Sequence, residues 1–100
     1  MAHDLILAPE AETDVVEAYE WYEARRRGLG EEFLSCVDAA LSGISRTPDL
    51  HAIAFSNDRR ALVRRFPYAV FYEVVDELVT VYGVLHTARD SAKWRHRFPS

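Results

Sequence analysis

Residues 64–94, RRFPYAVFYEVVDELVTVYGVLHTARDSAKW, decide the fold. Two apolar runs rich in β-branched and aromatic residues are parted only by Asp76 and Glu77, which predicts an antiparallel hairpin with strands at about Ala69–Asp76 and Leu78–His86. Alternation puts Val70, Tyr72 and Val74 on one face of the first strand and Phe71, Glu73 and Val75 on the other. In the last strand Val79, Val81, Gly83 and Leu85 oppose Thr80, Tyr82, Val84 and His86. The faces with Glu73 and Tyr82 are the more polar, so the aliphatic face is expected to carry the rest of the core.

Working outward, a third strand is expected at about Arg60–Phe66, ending before Pro67, which cannot donate to a central ladder. Residues His51–Phe55 allow a short strand, with Ser56, Asn57 and Asp58 as a turn. Thr47-Pro48-Asp49 ends a helix running from about Gly30 to Arg46, whose buried stripe is Phe33, Leu34, Val37, Ala40, Leu41 and Ile44. Gly28-Leu29-Gly30 only reverses the chain, so an earlier helix starting at Pro9 lies antiparallel to it. Ala11, Val15, Ala18 and Tyr22, joined by Tyr19, recur on its inner face. Arg25, Arg26 and Arg27 fill its last turn, where cations suit the negative helix end, and Gly28 supplies a left-handed stop. His3–Ala8 is a first strand. The order is β-α-α-β-β-β, an α+β domain of one antiparallel meander with a helical hairpin on one sheet face, then a short C-terminal tail or helix.

With 100 residues and 49% hydrophobic content the chain supports one core and not two. One cysteine, Cys36, excludes an intrachain disulfide, and its helical neighbours make it a small reduced core or flank residue. No segment resembles a signal peptide or reaches bilayer length, so the cytoplasm is the expected compartment and no membrane partner is expected. The net charge of -4 hides an asymmetry: residues 1–50 hold 11 acidic and 4 basic side chains, net -7, and residues 51–100 hold 5 acidic and 8 basic, net +3. Bulk nucleic-acid affinity is therefore disfavoured, while a local cationic patch is allowed. His3, His51, His86 and His96 lack metal-ligand spacing, and there is no glycine-rich phosphate loop, so no cofactor, metal or small-molecule substrate is expected.

Trp21 to Glu23 (WYE), Gly28 to Leu34 (GLGEEFL), RRFPYAVFY (residues 64–72) and VLHTARD (residues 84–90), followed by Trp94, stand in an order that resembles the RelE/ParE superfamily of type II toxin-antitoxin toxins, closer to its ParE branch. The likeness covers nearly the whole chain and implies one RelE/ParE-like toxin domain over residues 1–100. It also implies a cognate ParD-like antitoxin as partner, and either DNA gyrase or ribosome-bound mRNA as target. RelE-like members resemble one another in two arginines and a tail tyrosine; at those places this chain has Ala69, Ala88 and Trp94, which cannot supply the phosphate contacts or the proton transfers.

Two uses of the surface follow. A ParE-like toxin needs a gripping surface, for which Arg64, Arg65, Arg89, Trp94 and Arg95 are the candidates, with Arg60 and Arg97 more simply explained as surface partners of Asp58, Glu73 or Asp90. A ribonuclease would instead use His86 as acid or base, Glu73 as its partner, and Arg64, Arg65 and Arg89 as phosphate clamps. The bland account of His86 is a hydrogen bond into the following turn. Antitoxin binding is expected at the outer side of the helical hairpin and the groove beside the sheet, through Trp21, Tyr22 and Leu29. The competing account of Trp21 is packing, and of Trp94 a core lid. A third class, a non-toxic module whose partner completes it, also accommodates scattered arginines. Toxins that resemble this chain tend to be basic, so its pI near 5.5 implies either a target contact confined to the arginine rim or a weakened member that mainly binds its antitoxin.

Overall fold

The structure, a computed structural model, describes residues 3–50, 52–55, 58–90, 93 and 97. His51, Ser56, Asn57, Trp94, Arg95 and His96 lie outside the described residues.

Strand β1 (Asp4–Leu7) leads through extended Ala8 into α1 (Pro9–Arg25), with proline at the helix start, where its missing N–H costs nothing. Ala8 offers no side-chain cap, but its carbonyl accepts from the amides of Ala11 and Glu12 at 2.9 and 3.1 Å. The inner face of α1 is Ala11, Ala18 and Tyr22, as its spacing predicts. Only Arg25 of the arginine triplet is helical; Arg26 is already extended, its amide closing on the Tyr22 carbonyl. Gly28 takes φ +88°, the left-handed conformation that frees the chain to reverse.

Helix α2 (Leu29–Arg46) buries Phe33, Val37 and Ile44. Its exposed amides at the start are not left to water: the Glu23 carboxylate, one turn back on α1, accepts from Gly28 N at 2.9 Å and Gly30 N at 2.9 Å. Gly30 is also where the helices touch, since a Cβ there would lie 2.8 Å from the Tyr19 ring. At the far end His3 and Ser45 exchange bonds, the His3 amide donating to the Ser45 carbonyl (2.7 Å) and the Ser45 hydroxyl to the His3 carbonyl (2.6 Å), which ties α2 to β1. A 3-10 turn at Pro48–Leu50 follows, and its Pro48 carbonyl accepts from the fully buried Tyr72 hydroxyl. Burial pushes the Tyr72 phenol up to about 12.

The sheet has five strands: β1, then β2 (Ala52–Phe55), β3 (Asp58–Leu62), β4 (Tyr68–Val75) and β5 (Leu78–His86), in the spatial order β1-β5-β4-β3-β2. The expected antiparallel meander is present but has four strands after the helices instead of three, with Asp58 opening β3 instead of closing a turn, and β1 adds parallel to β5. Both helices cover one face, where Phe33, Val37 and Ile44 meet Val70, Tyr72, Val79 and Val81. Each such fully buried side chain contributes about 1.5–3 kcal/mol over its exposed state.

Two further sequence expectations are corrected. The third strand ends at Leu62, not Phe66, because Val63 to Pro67 form a tight reversal in which Arg65 adopts φ +70° and the Val63 amide donates to the Tyr68 carbonyl at 2.9 Å. The faces of β5 are not a simple alternation. Phe71 pairs with Gly83 but Tyr72 pairs with Val81, so Tyr82 is an extra residue, a β-bulge. The bulge shifts the pattern by one: Val79 and Val81 face the helices before it and Val84 after it, while Leu85 joins Ala69 and Phe71 on the second face.

Candidate partner-binding rim and cleft

Two turns meet at one end of the sheet. The Thr87 amide donates to the Pro67 carbonyl at 2.9 Å, clasping the turn after β5 to the turn between β3 and β4. The turn with Arg64 and Arg65 is thereby joined to the turn with Arg89, and all three are exposed, but Arg64 lines a separate groove beside Cys36, Ala39, Ala40 and Gly43 of α2. The α1–α2 loop reaches the same rim: Glu32 at the start of α2 holds Arg65 at 2.8 Å and Arg26 at 2.9 Å. Hydrogen bonds from Arg26 and then Arg65 hold the Glu32 carboxyl below its usual range. Arg26 of the triplet at residues 25–27 thus joins the cationic end through Glu32, although the sequence explains the triplet as a helix end. The shared signal was available: the loop after α1 and the turns flanking the hairpin fall at the same end of an antiparallel arrangement.

Arg89 is fixed at its root. The His86 ring nitrogen Nδ1 accepts from the amides of Ala88 and Arg89 at 3.2 and 2.9 Å, and the Asp90 carboxylate accepts from the His86 amide at 3.1 Å. Asp90 also faces Arg89 and Lys93, at 3.7 and 3.5 Å. Burial works against its charge, but the His86 amide and the two cations outweigh it and hold its carboxyl low. From this turn the Arg89 guanidinium donates to the Tyr68 hydroxyl at 3.0 Å, which raises its own pKa further, and the side chain stays 57% exposed. Tyr68 in turn is buried against Tyr22, Phe33 and His86. An exposed cation thus sits on a rigid aromatic base.

Beside Arg89 opens a cleft of about 270 Å³ between α1 and β5. Asp14, Glu17 and Trp21 of α1 form one wall, and Val84, Arg89 and Lys93 the other. Trp21 is 46% exposed, with the Arg25 guanidinium 4.1 Å from its ring centroid. Its neighbour Tyr22 is buried and packs on Phe33, Phe66 and Tyr68, and Leu29 packs partly buried against the same core. Of the three residues expected to meet a partner helix, Tyr22 is withdrawn into the core, because adjacent helical side chains point about 100° apart.

The pairing of His86 with Glu73 is corrected. Tyr68 pairs with His86 whereas Glu73 pairs with Thr80, five ladder positions along, roughly 17 Å at strand rise. Glu73 instead accepts from the Tyr82 hydroxyl at 3.1 Å on the second face. Asp58, buried beside Glu73, is pushed up to about 6 by burial and then by that neighbouring charge. Arg97 also departs from expectation: its partner is Asp14 of α1, at 2.9 Å, and not Asp58, Glu73 or Asp90.

The helical hairpin lies over a five-stranded mixed sheet, with arginines at the end of the β4–β5 hairpin. The fold is similar to that in a structure of the "Chromosomal ParDE TA system from P. aeruginosa", with TM-score 0.75 at 11% identity, covering 85% of this chain and 96% of that one. It is also similar to an arginine-to-alanine double mutant of the E. coli toxin RelE in the free state, with TM-score 0.66 at 16% identity, covering 97% of this chain and 94% of that one. The sequence model of the family described as "ParE toxin of type II toxin-antitoxin system, parDE" matches residues 5–91. The chain belongs to the ParE toxin family. A comparison with curated protein sequences gave no match. No helix among the described residues is long and apolar enough to cross a membrane.

Proposed function

We propose that this toxin arrests bacterial growth from the cytoplasm by gripping DNA gyrase with its arginine rim, and that a ParD-like antitoxin encoded beside it blocks that grip. The observation that carries the reading is the placement of exposed Arg89 on buried Tyr68, with Arg64 and Arg65 on the adjoining turn. Rigidly based arginines beside aromatic surface are the usual high-energy contacts of protein interfaces. Direct RNA cleavage is less well served. His86 Nδ1 is engaged with two amides, Glu73 is remote, and Ala69 is fully buried where RNA-cleaving relatives resemble one another in an arginine.

Expression in a bacterium with and without the antitoxin tests this. Growth arrest with induction of the DNA-damage response, relieved by the antitoxin, is the expected result. Arrest with fragmented mRNA and no damage response would favour the nuclease, and harmless expression the non-toxic module; either overturns the proposal.

A further inference from the structure

The sheet face turned away from the helices is closed at one end and open at the other. Toward the arginine rim, Ala69, Phe71 and Leu85 are buried on it. Toward the Asp76–Glu77 turn, Ile6, Val75 and Leu78 stand on the same face with 51%, 57% and 38% of their surface exposed. Register places them side by side. One row across β4, β5 and β1 is Glu73, Thr80 and Ile6, and the next is Val75, Leu78 and Asp4. Neighbours within a row are about 5 Å apart and the rows about 7 Å, so the three aliphatic side chains belong to one patch. Exposed apolar residues scattered singly are ordinary, but apolar residues gathered together and rimmed by charge are the kind of surface a partner covers.

The rim of that patch has one sign. Asp4 and Glu73 occupy opposite corners of the two rows, and exposed Asp76 and Glu77 form the turn beside them. Asp58, buried on β3 beside Glu73, adds a fifth carboxyl. None of the five forms an ion pair with a cation among the described residues. Arg60 shares the face two residues along β3 from Asp58, but it pairs in the ladder with Phe71, one row nearer the buried end, and forms no ion pair with Asp58 or Glu73. Like charges set beside one another across strands repel, and burial and then the Glu73 charge push the Asp58 carboxyl up.

The geometry points to this corner as a docking surface for a short, basic, aliphatic segment of a partner protein, whose apolar side chains cover Ile6, Val75 and Leu78 while its lysines or arginines meet Asp4, Glu73, Asp76 and Glu77. Sign selects the occupant. Nucleic acid and anionic lipid carry the wrong charge, and two copies of the chain laid face to face would set acid against acid. The corner lies at the opposite end of the β4–β5 hairpin from Arg65 and Arg89, so the inference stands apart from the proposed function.

Titration of the full chain with two short synthetic peptides, one alternating lysine with valine and one alternating glutamate with valine, followed by residue-resolved amide NMR, tests it. The lysine peptide is expected to shift the amides of Ile6, Val75, Leu78 and Thr80, and the glutamate peptide to leave them in place. Ile6→Thr and Val75→Thr keep the branched shape that strands favour and lose the apolar contact; together they are expected to weaken lysine-peptide binding by about tenfold. Glu77→Lys, on the exposed turn, is expected to weaken it by about two- to fivefold and to reduce its salt dependence. Equal binding of both peptides, no binding of the lysine peptide, shifts confined to other residues, or concentration-dependent shifts of these four amides without peptide, the sign of a second copy, each overturns the inference and leaves the arginine rim untouched.

Discussion

The Arg89 guanidinium donates to the Tyr68 hydroxyl at 3.0 Å, so an exposed part of the candidate interface is bonded directly to a buried side chain of the core. Binding and packing share this residue pair. If Arg89 grips gyrase, Arg89→Ala removes a hot-spot contact worth about 2 kcal/mol or more, roughly thirtyfold in inhibition. A supercoiling assay checks this, with unfolding monitored alongside. Tyr68→Phe keeps the ring and removes only the anchor, and is expected to cost less inhibition than the arginine.

Arg65 tests the rim in a second way. Glu32→Gln frees it from its ion pair while leaving it in place on its left-handed turn, so inhibition is expected to hold or rise. Arg65→Glu reverses the charge, sets two carboxylates together and should abolish inhibition. The depressed Glu32 pKa means that its contribution to stability is present above the unfolded-state pKa and is lost as pH falls through the folded one. Unfolding midpoints of wild type and Glu32→Gln are expected to converge at acid pH.

Phe33 is fully buried among Tyr22, Phe66 and Tyr68 and has no room to be replaced. Phe33→Ala is expected to cost about 3–5 kcal/mol in urea unfolding. That is a large part of the stability of a domain this size.

Gly30→Ala sets a gain against a loss. The helix favours alanine by about 1 kcal/mol. The new methyl, however, meets the Tyr19 ring at 2.8 Å and the Tyr19 carbonyl oxygen at 2.9 Å, and backbone does not yield as a side-chain tip does. Net destabilisation of about 1–2 kcal/mol is expected from thermal unfolding, as for other overpacked sites.

Asp58 gives the opposite pH sign to Glu32. Its folded pKa is raised to about 6, above the 3.8 of the unfolded chain, so the folded state binds the extra proton and stability falls as pH rises between those values. Asp58→Asn is expected to flatten that slope and to stabilise the protein at pH 7. Urea midpoints at pH 4 and pH 7 decide it.

Sequence pattern reached the helical hairpin because its signals are local: a glycine free to take positive φ, a stripe at Phe33, Val37 and Ile44, and Pro48 past the end. The ends of β5 were equally legible. The β1–β5 pairing was not, since a parallel neighbour 70 or more residues away leaves no mark on either strand. The inward turn of Tyr22, by contrast, was legible from its helical spacing with Ala11 and Ala18, and that spacing argues against its second use as a partner contact. Bringing the turns of Arg64, Arg65 and Arg89 to one end followed from hairpin logic, but Arg26 arrived there through Glu32, a tertiary ion pair. His86 and Glu73 failed as a couple because sequence proximity on neighbouring strands does not fix ladder position.

One inserted residue, Tyr82, works like a half-step in a spiral stair: what enters the last stretch of β5 facing one way leaves it facing the other. Shortening the chain by that residue would turn the strand's final segment inside out, sending Val84 to the second face beside Ala69 and Phe71, pulling Leu85 under the helices, and leaving the Asp14 carboxylate without the amide it holds. The tyrosine's place in the count therefore matters more to this architecture than the identity of its side chain.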